Sequence, residues 1–177
     1  MNIEEFIKKS EGEWRSMRSG HSMAFQQFEE IVSKIKIKIL PKTDKEVIHL
    51  LESNNSLNKN IGSPFVINWN SESDWDVTNG SSSTNGSSIL IPIPESAKEG
   101  LILRSLGYAE KIKVSSKYKF LCDGTLILST KYTQTIAEER IWFASDNVRF
   151  RSSVVRSTDS SAILQSSHAS ELRKLNL

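Results

Sequence analysis

The run from Glu139 to Ser153, ERIWFASDNVRFRSS, carries the residues best suited to chemistry. Side chains along a strand alternate between faces. Arg149, Arg151 and Ser153 therefore share one face, and Phe150, Ser152 and Val154 the other. Two guanidinium groups on one face offer two bidentate forks, the donor geometry that clamps two carboxylates. A nearby glutamate can serve a cationic or N–H-bearing centre. Where Glu139 falls depends on the turn. A three-residue loop at Ser145 to Asn147 pairs 143 with 149, 141 with 151 and 139 with 153, which brings Glu139 to the arginine face. A two-residue loop at Asp146-Asn147 sends it to the opposite face. Spacing alone leaves both registers open. It also allows a solvated face on which the charges merely pair across the hairpin.

Other candidates are more scattered. Trp69 and Trp75 bracket a polar turn, and aromatics at the mouth of a barrel can stack on a planar ligand. Ordinary core packing is the alternative for each. Arg18 and His21 stand close together in WRSMRSGH. The three histidines, His21, His49 and His168, are too dispersed to suggest a metal site, and no Cys/His cluster accompanies them. Cys122 precedes a hairpin turn and has no adjacent base, so it reads as an inert strand-end residue. There is no phosphate loop, no dinucleotide fingerprint and no nucleophile elbow.

Composition narrows the field. The chain has 177 residues, fitting one domain over 1–177, with 37% apolar and 25% charged residues. Lys and Arg total 23 against 21 for Asp and Glu, a net charge of +2 that gives no electrostatic footprint for nucleic acid. A single cysteine rules out an intramolecular disulfide. The N-terminus lacks the apolar stretch of a signal peptide, and no apolar run approaches the ~20 residues of a membrane span. These features point to an intracellular protein, cytoplasmic or, after removal of a transit peptide, in a plastid stroma.

The elements that would position these residues are mostly strands. Ile3, Phe6 and Ile7 have helical spacing, predicting a short helix over 2–10. Glu13 to Phe25 reads as a strand with Trp14, Ser16 and Arg18 on one face. Lys34 to Leu40 alternates cleanly, with Ile35, Ile37 and Ile39 inward. Asp44 caps a short helix to about Glu52. Phe65 to Trp69 is a strand, and NGSSSTNGSS over 79–88 reads as a mobile low-complexity loop. Strands follow at 89–93, 101–103, 109–114, 117–122, 125–135, 138–144 and 148–156, with Asp123-Gly124 as a hairpin turn. Residues 157–177 form a polar tail, with a weak helix over 168–177. About eight to ten short strands with few helices make an all-β chain, a meandering barrel or a sandwich.

Three segments carry a resemblance to a known family: FIKKSEGEWRSMRSGHSMAFQQFEE, INWNSESDWDV and EERIWFASDNVRFRSSVV. Together they resemble the S/U-type phycobiliprotein lyases, which attach linear tetrapyrroles to cyanobacterial and plastid antenna proteins. The likeness runs over nearly the whole chain, and the Arg-x-Arg hairpin is its most specific part. It implies a lipocalin-like (calycin) antiparallel barrel of about ten strands with the bilin inside, and it favours the three-residue turn. It implies that Arg149 and Arg151 bind the two propionates and that Glu139 contacts the central pyrrole nitrogens, with Ser153 nearby. Trp69 and Trp75 would line the pocket, and Arg18 and His21 match further family positions.

The substrate so implied is a bilin such as phycoerythrobilin or phycocyanobilin, with phycoerythrobilin and a phycoerythrin β-subunit as the expected pair. No metal or redox cofactor is expected. The nucleophile would be a cysteine of the apo-phycobiliprotein subunit, and some members form dimers, which makes a homodimer an expectation here. Two alternatives stand beside this reading. One is a lipocalin-like carrier that delivers a bilin without catalysing its attachment. The other is an assembly protein whose barrel is packed shut.

Overall fold

The structure is a computed structural model describing residues 1–73, 84–105 and 115–175. Two helices, α1 (Ile3–Ser10) and α2 (Lys45–Ser53), accompany ten strands: β1 (Gly12–Ser22), β2 (Gln27–Ile39), β3 (Phe65–Ser73), β4 (Thr84–Pro94), β5 (Glu99–Arg104), β6 (Ser115–Phe120), β7 (Leu126–Lys131), β8 (Thr135–Phe143), β9 (Val148–Ser157) and β10 (Ile163–Arg173). Each strand pairs antiparallel with its sequence neighbours, and β10 returns to β1 to close the barrel. Closure removes every sheet edge.

Helix α1 stoppers one end. Asn2 caps it in a reciprocal box with Glu5: Glu5 N–H donates to Asn2 Oδ1 at 2.9 Å and Asn2 N–H to Glu5 Oε2 at 3.0 Å. Ile3, Phe6 and Ile7 face inward and are buried. The Phe6 ring lies 5.8 Å from Phe120 and 5.4 Å from Phe143. Trp14, Ile37, Phe65, Leu126 and Ile141 complete this apolar end. Helix α2, capped by Asp44, covers the outside of β4 and β5 with Val47, Leu50 and Leu51 against Ile89, Ile91, Ile93 and Leu103. That is why the 89–93 run is apolar on both faces.

Several expectations are corrected. The tail over 157–177 turns at 158–161 and becomes β10; no terminal helix forms at 168–173. A ten-strand barrel needs a partner for both β1 and β9, and that pairing overrides the weak helical preference of SELRK. Residues 84–88 of the expected low-complexity loop belong to β4, while 79–83 lie outside the described residues, as does the strand expected over 109–114. The 125–135 run is two strands separated by a turn, in which Tyr132 N–H donates to the Thr135 carbonyl at 2.8 Å.

Because α1 seals the core, Ile7, only 1% exposed, is a sensitive position. Ile7→Ala should cost about 2–5 kcal/mol and lower Tm by several degrees in a thermal melt followed by circular dichroism. An unchanged Tm would show that the helix does not seal the barrel.

Candidate functional site

The barrel register places the functional side chains in transverse rows on the inner wall. The β8–β9 hairpin pairs Phe143 with Arg149, Ile141 with Arg151 and Glu139 with Ser153. This is the three-residue-turn register, and it sets Glu139 and both arginines on the inside. Extending each pairing through β10, β1 and β2 gives three successive rows. The first is Phe143, Arg149, Glu171, Ser16 and Ser33. The second is Ile141, Arg151, Ala169, Arg18 and Ile31. The third is Glu139, Ser153, Ser167, Gly20 and Glu29.

These rows run from the stoppered end toward the open end, and their exposure changes accordingly. In the first row Arg149 and Glu171 have side chains 2% and 1% exposed. Glu171 Oε2 accepts from Arg149 Nε at 2.5 Å and also lies 2.5 Å from its Nη2. The Arg149 guanidinium stacks 4.7 Å from the Trp14 ring and 5.9 Å from Phe143. Burial pulls its pKa down, and the Glu171 carboxylate opposes that pull. One row on, the Arg151 side chain is 21% exposed, and Arg18 is exposed although its strand phase points it inward. An inward side chain on a closed wall meets solvent only if the interior is open there. Small residues, Ser153, Ser167 and Gly20, leave the room.

Glu139 stands at the centre of a charge relay that spans several strands. Arg104 of β5 donates to its Oε2 at 3.5 Å, and Arg151 Nη1 is 3.9 Å from its Oε1. Arg151 Nε is also 3.9 Å from Glu171 Oε1. Burial alone would raise the Glu139 pKa, but Arg151, Arg104 and Arg18 together outweigh it and hold the carboxyl below the usual glutamate range. The site is thus an ionised carboxylate ringed by guanidinium groups at the edge of a solvent-reached hollow. Such a set can receive an acidic ligand and offer one anion to its N–H groups.

The structure brings together Glu139, Arg149, Arg151, Ser153 and Arg18. Trp69 is on the inner wall, in the row of Trp14 and Ile35, with Gly86 opposite. A Cβ at position 86 would come within 2.1 Å of the indole, so a glycine there is what lets Trp69 lie across β4. His21 is not brought to the cluster. It has the opposite strand phase to Arg18 and stacks on Phe28 outside the barrel at 4.8 Å. Trp75 lies outside the described residues. Among the described residues no three His, Cys, Asp or Glu side chains group as metal ligands, and no helix is long and apolar enough to cross a membrane.

Two members of the cluster were not singled out from the sequence. Arg104 ends the apolar run Leu101-Ile102-Leu103, and a charge closing a strand buried on both faces is a usable signal. Glu171 was hidden by the expected terminal helix.

Comparison with known proteins matches residues 2–174 to the family model described as CpeS-like protein. "Chromophore lyase CpcS/CpeS 3" of Trichodesmium erythraeum is 46% identical over 98% of this chain and 99% of its own length. "Putative phycoerythrobilin lyase CpeS" of Microchaete diplosiphon is 41% identical over 84% of this chain and 66% of its own length. The solved S-type phycobiliprotein lyase CPES from Guillardia theta superposes with a TM-score of 0.86 at 31% identity, covering 100% of this chain and 95% of that one.

A depressed pKa for Glu139 contributes stability above the unfolded glutamate pKa, and that stability is lost as pH falls through the folded value. Urea unfolding of the wild type should therefore weaken steeply below about pH 4.3, and Glu139→Gln should give a flatter curve in that window. Parallel curves would contradict the ion relay.

Proposed function

The chain belongs to the CpeS-like protein family and is a chromophore lyase; we propose that its substrate is phycoerythrobilin and its acceptor a cysteine of an apo-phycobiliprotein, the phycoerythrin β-subunit first among them. One observation carries this reading. Four guanidinium groups, of Arg18, Arg104, Arg149 and Arg151, face or adjoin two carboxylates, Glu139 and Glu171, inside one barrel. The set keeps two net positive charges. A linear tetrapyrrole brings two propionates and a row of pyrrole N–H groups, so it complements both the surplus cations and the part-buried Glu139 carboxylate. The relative named as a phycoerythrobilin lyase supports that bilin over others.

In this reading Arg151 is the central propionate anchor. Arg149, implied by the family likeness, and Arg18, which solvent reaches, are the two candidates for the second. Glu139 lies opposite Ser153 and meets the pyrrole nitrogens. Its negative charge favours the protonated, cationic tetrapyrrole, which draws electrons from the conjugated system. The ethylidene carbon of ring A then accepts the thiolate of the acceptor cysteine. The C–S bond forms, the double-bond pair moves into the conjugated system, and a proton completes the adduct. The barrel's part is to hold the pigment extended, shield it from free-solution side reactions and expose one face to attack.

Cys122 does not compete for this role. It is a free, exposed thiol, placed just beyond Phe120, whose ring meets Phe6 at the stoppered end. The reaction would take place where antenna subunits are assembled, the cytoplasm of a cyanobacterium or a plastid stroma.

Titration of the protein with phycoerythrobilin should give a red-shifted visible band. Arg151→Gln should weaken binding about tenfold or more, as expected for removing one partner of a charge-assisted contact. Glu139→Gln should retain binding, lose most of the red shift, and slow acid-stable transfer to apo-phycoerythrin by about 10²–10⁴-fold. Wild-type binding with no rate gain over spontaneous addition would make the protein a carrier instead.

A further inference from the structure

Strand direction fixes which turns surround the mouth of the hollow. The wall is closed all round, and α1 stoppers the end where β1 begins. A large partner therefore meets the interior only where β1 ends. Among the described residues, the β1–β2, β7–β8 and β9–β10 turns lie there. Two of these end in polar residues, Thr133-Gln134 and Thr158 to Ser161. The third does not. In its tip, SMAFQQF, Phe25 is 75% exposed, the largest value for any large apolar side chain described, and Met23, Phe28 and the neighbouring Ile163 of β10 are exposed as well.

This apolar edge is held in place. β1 and β2 pair as far as Ser22 with Gln27, and Met23 N–H donates to the Leu164 carbonyl of β10 at 2.9 Å. His21, which the pigment site leaves unused, stacks on Phe28 at 4.8 Å. Gly20 shares the transverse row of Glu139, so Met23 stands farther along β1 by about 10 Å at a strand's rise. Aromatic and thioether groups gathered in water on one side of an opening mark a contact surface.

We propose that the β1–β2 tip is the docking surface for the apo-phycobiliprotein acceptor: Phe25, Met23, Phe28 and Ile163 seat an apolar face of that subunit beside the mouth and bring its cysteine over the pigment held within. A thioether forms only if the acceptor sulfur reaches a pigment lodged in a barrel stoppered at its other end, so the acceptor must contact the rim. Seating it on one side of that rim fixes the direction from which the sulfur approaches. Charge argues against other occupants. From Ser19 to Ser33 there is no Lys or Arg, and the charged residues are Glu29 and Glu30. An anionic lipid surface finds no cation beside the aromatics. A second copy set mouth to mouth would oppose like charges and shut out the acceptor.

The proposal rests on the bilin-lyase reading above, and its test separates the two. Met23→Ser with Phe25→Ser removes the apolar tip at exposed positions, where substitutions cost little stability. The double variant should bind phycoerythrobilin with the Kd and spectrum of wild type. In transfer to apo-phycoerythrin β-subunit, its KM for the acceptor should rise about tenfold or more, the scale of losing aromatic anchors. Its kcat should stay within about twofold, because docking contacts are made equally before and during the chemistry. Leu172→Ser, at an exposed apolar position of β10 near the stoppered end, should leave both constants as in wild type.

An unaltered acceptor KM in the tip variant, or an equal rise in Leu172→Ser, would overturn the proposal. So would wild-type protein that floats with phosphatidylglycerol vesicles alongside a tip variant that does not, since the surface would then belong to lipid. Wild-type protein that takes up no bilin, or transfers it no faster than the spontaneous reaction, would overturn the lyase reading, and the proposal with it.

Discussion

A guanidinium group inside a β-barrel is stable only where carboxylates or water meet it. This chain supplies both, in graded fashion. Arg149 has a carboxylate and no water, Arg151 has two carboxylates at arm's length and some water, and Arg18 has water. The relay Arg104, Glu139, Arg151, Glu171, Arg149 crosses β5, β8, β9 and β10, so it forms only when the barrel is closed. Removing Arg149 or Glu171 leaves a buried charge without its nearest counter-ion, a costly defect in this interior.

The rest of the architecture keeps that gradient in place. The capping box of α1 and the burial of Phe6 and Ile7 dry one end. Arg173 reinforces the stopper: its guanidinium lies 4.3 Å over Trp14, donates to the Lys9 carbonyl at 2.5 Å and to the Glu11 carbonyl, and reaches the Asp146 carbonyl at 3.1 Å. One arginine thus ties the helix end to the β8–β9 turn that sets the register of Arg149, Arg151 and Glu139. Toward the open end, serines and a glycine replace the aromatics, so the same wall that packs tightly at Trp14 leaves room beside Glu139. The hollow begins where that filling stops.

Much of this was legible in the sequence because it depended on local rules. Alternation in KIKIKIL and in VRFRS fixed which residues could share a face, and the helical spacing of Ile3, Phe6 and Ile7 predicted the helix that forms. The register of the hairpin was not legible from spacing, since two turn lengths fit SDN; the family likeness favoured the one observed. Residues 27–33 were not assigned to β2 because QFEEIVS does not alternate. The closing strand was missed because its inner face is Ala169, Glu171 and Arg173, a pattern with no apolar stripe. Glu171 was lost with it. A buried carboxylate paired across strands leaves no periodic trace, and only the closure of the barrel reveals its partner. His21 illustrates the converse: proximity to Arg18 in sequence put it three residues away and therefore on the other side of the sheet.

The most direct measurement compares phycoerythrobilin with its dimethyl ester, which has the same chromophore and no carboxylate charge. If surplus guanidinium charge inside the barrel holds the pigment, the diacid binds about tenfold or more tightly than the ester, and the advantage shrinks as salt is added. Equal affinity for the two, insensitive to salt, would mean that the interior recognises the tetrapyrrole by shape and apolar contact alone, and that the buried arginines serve only the fold.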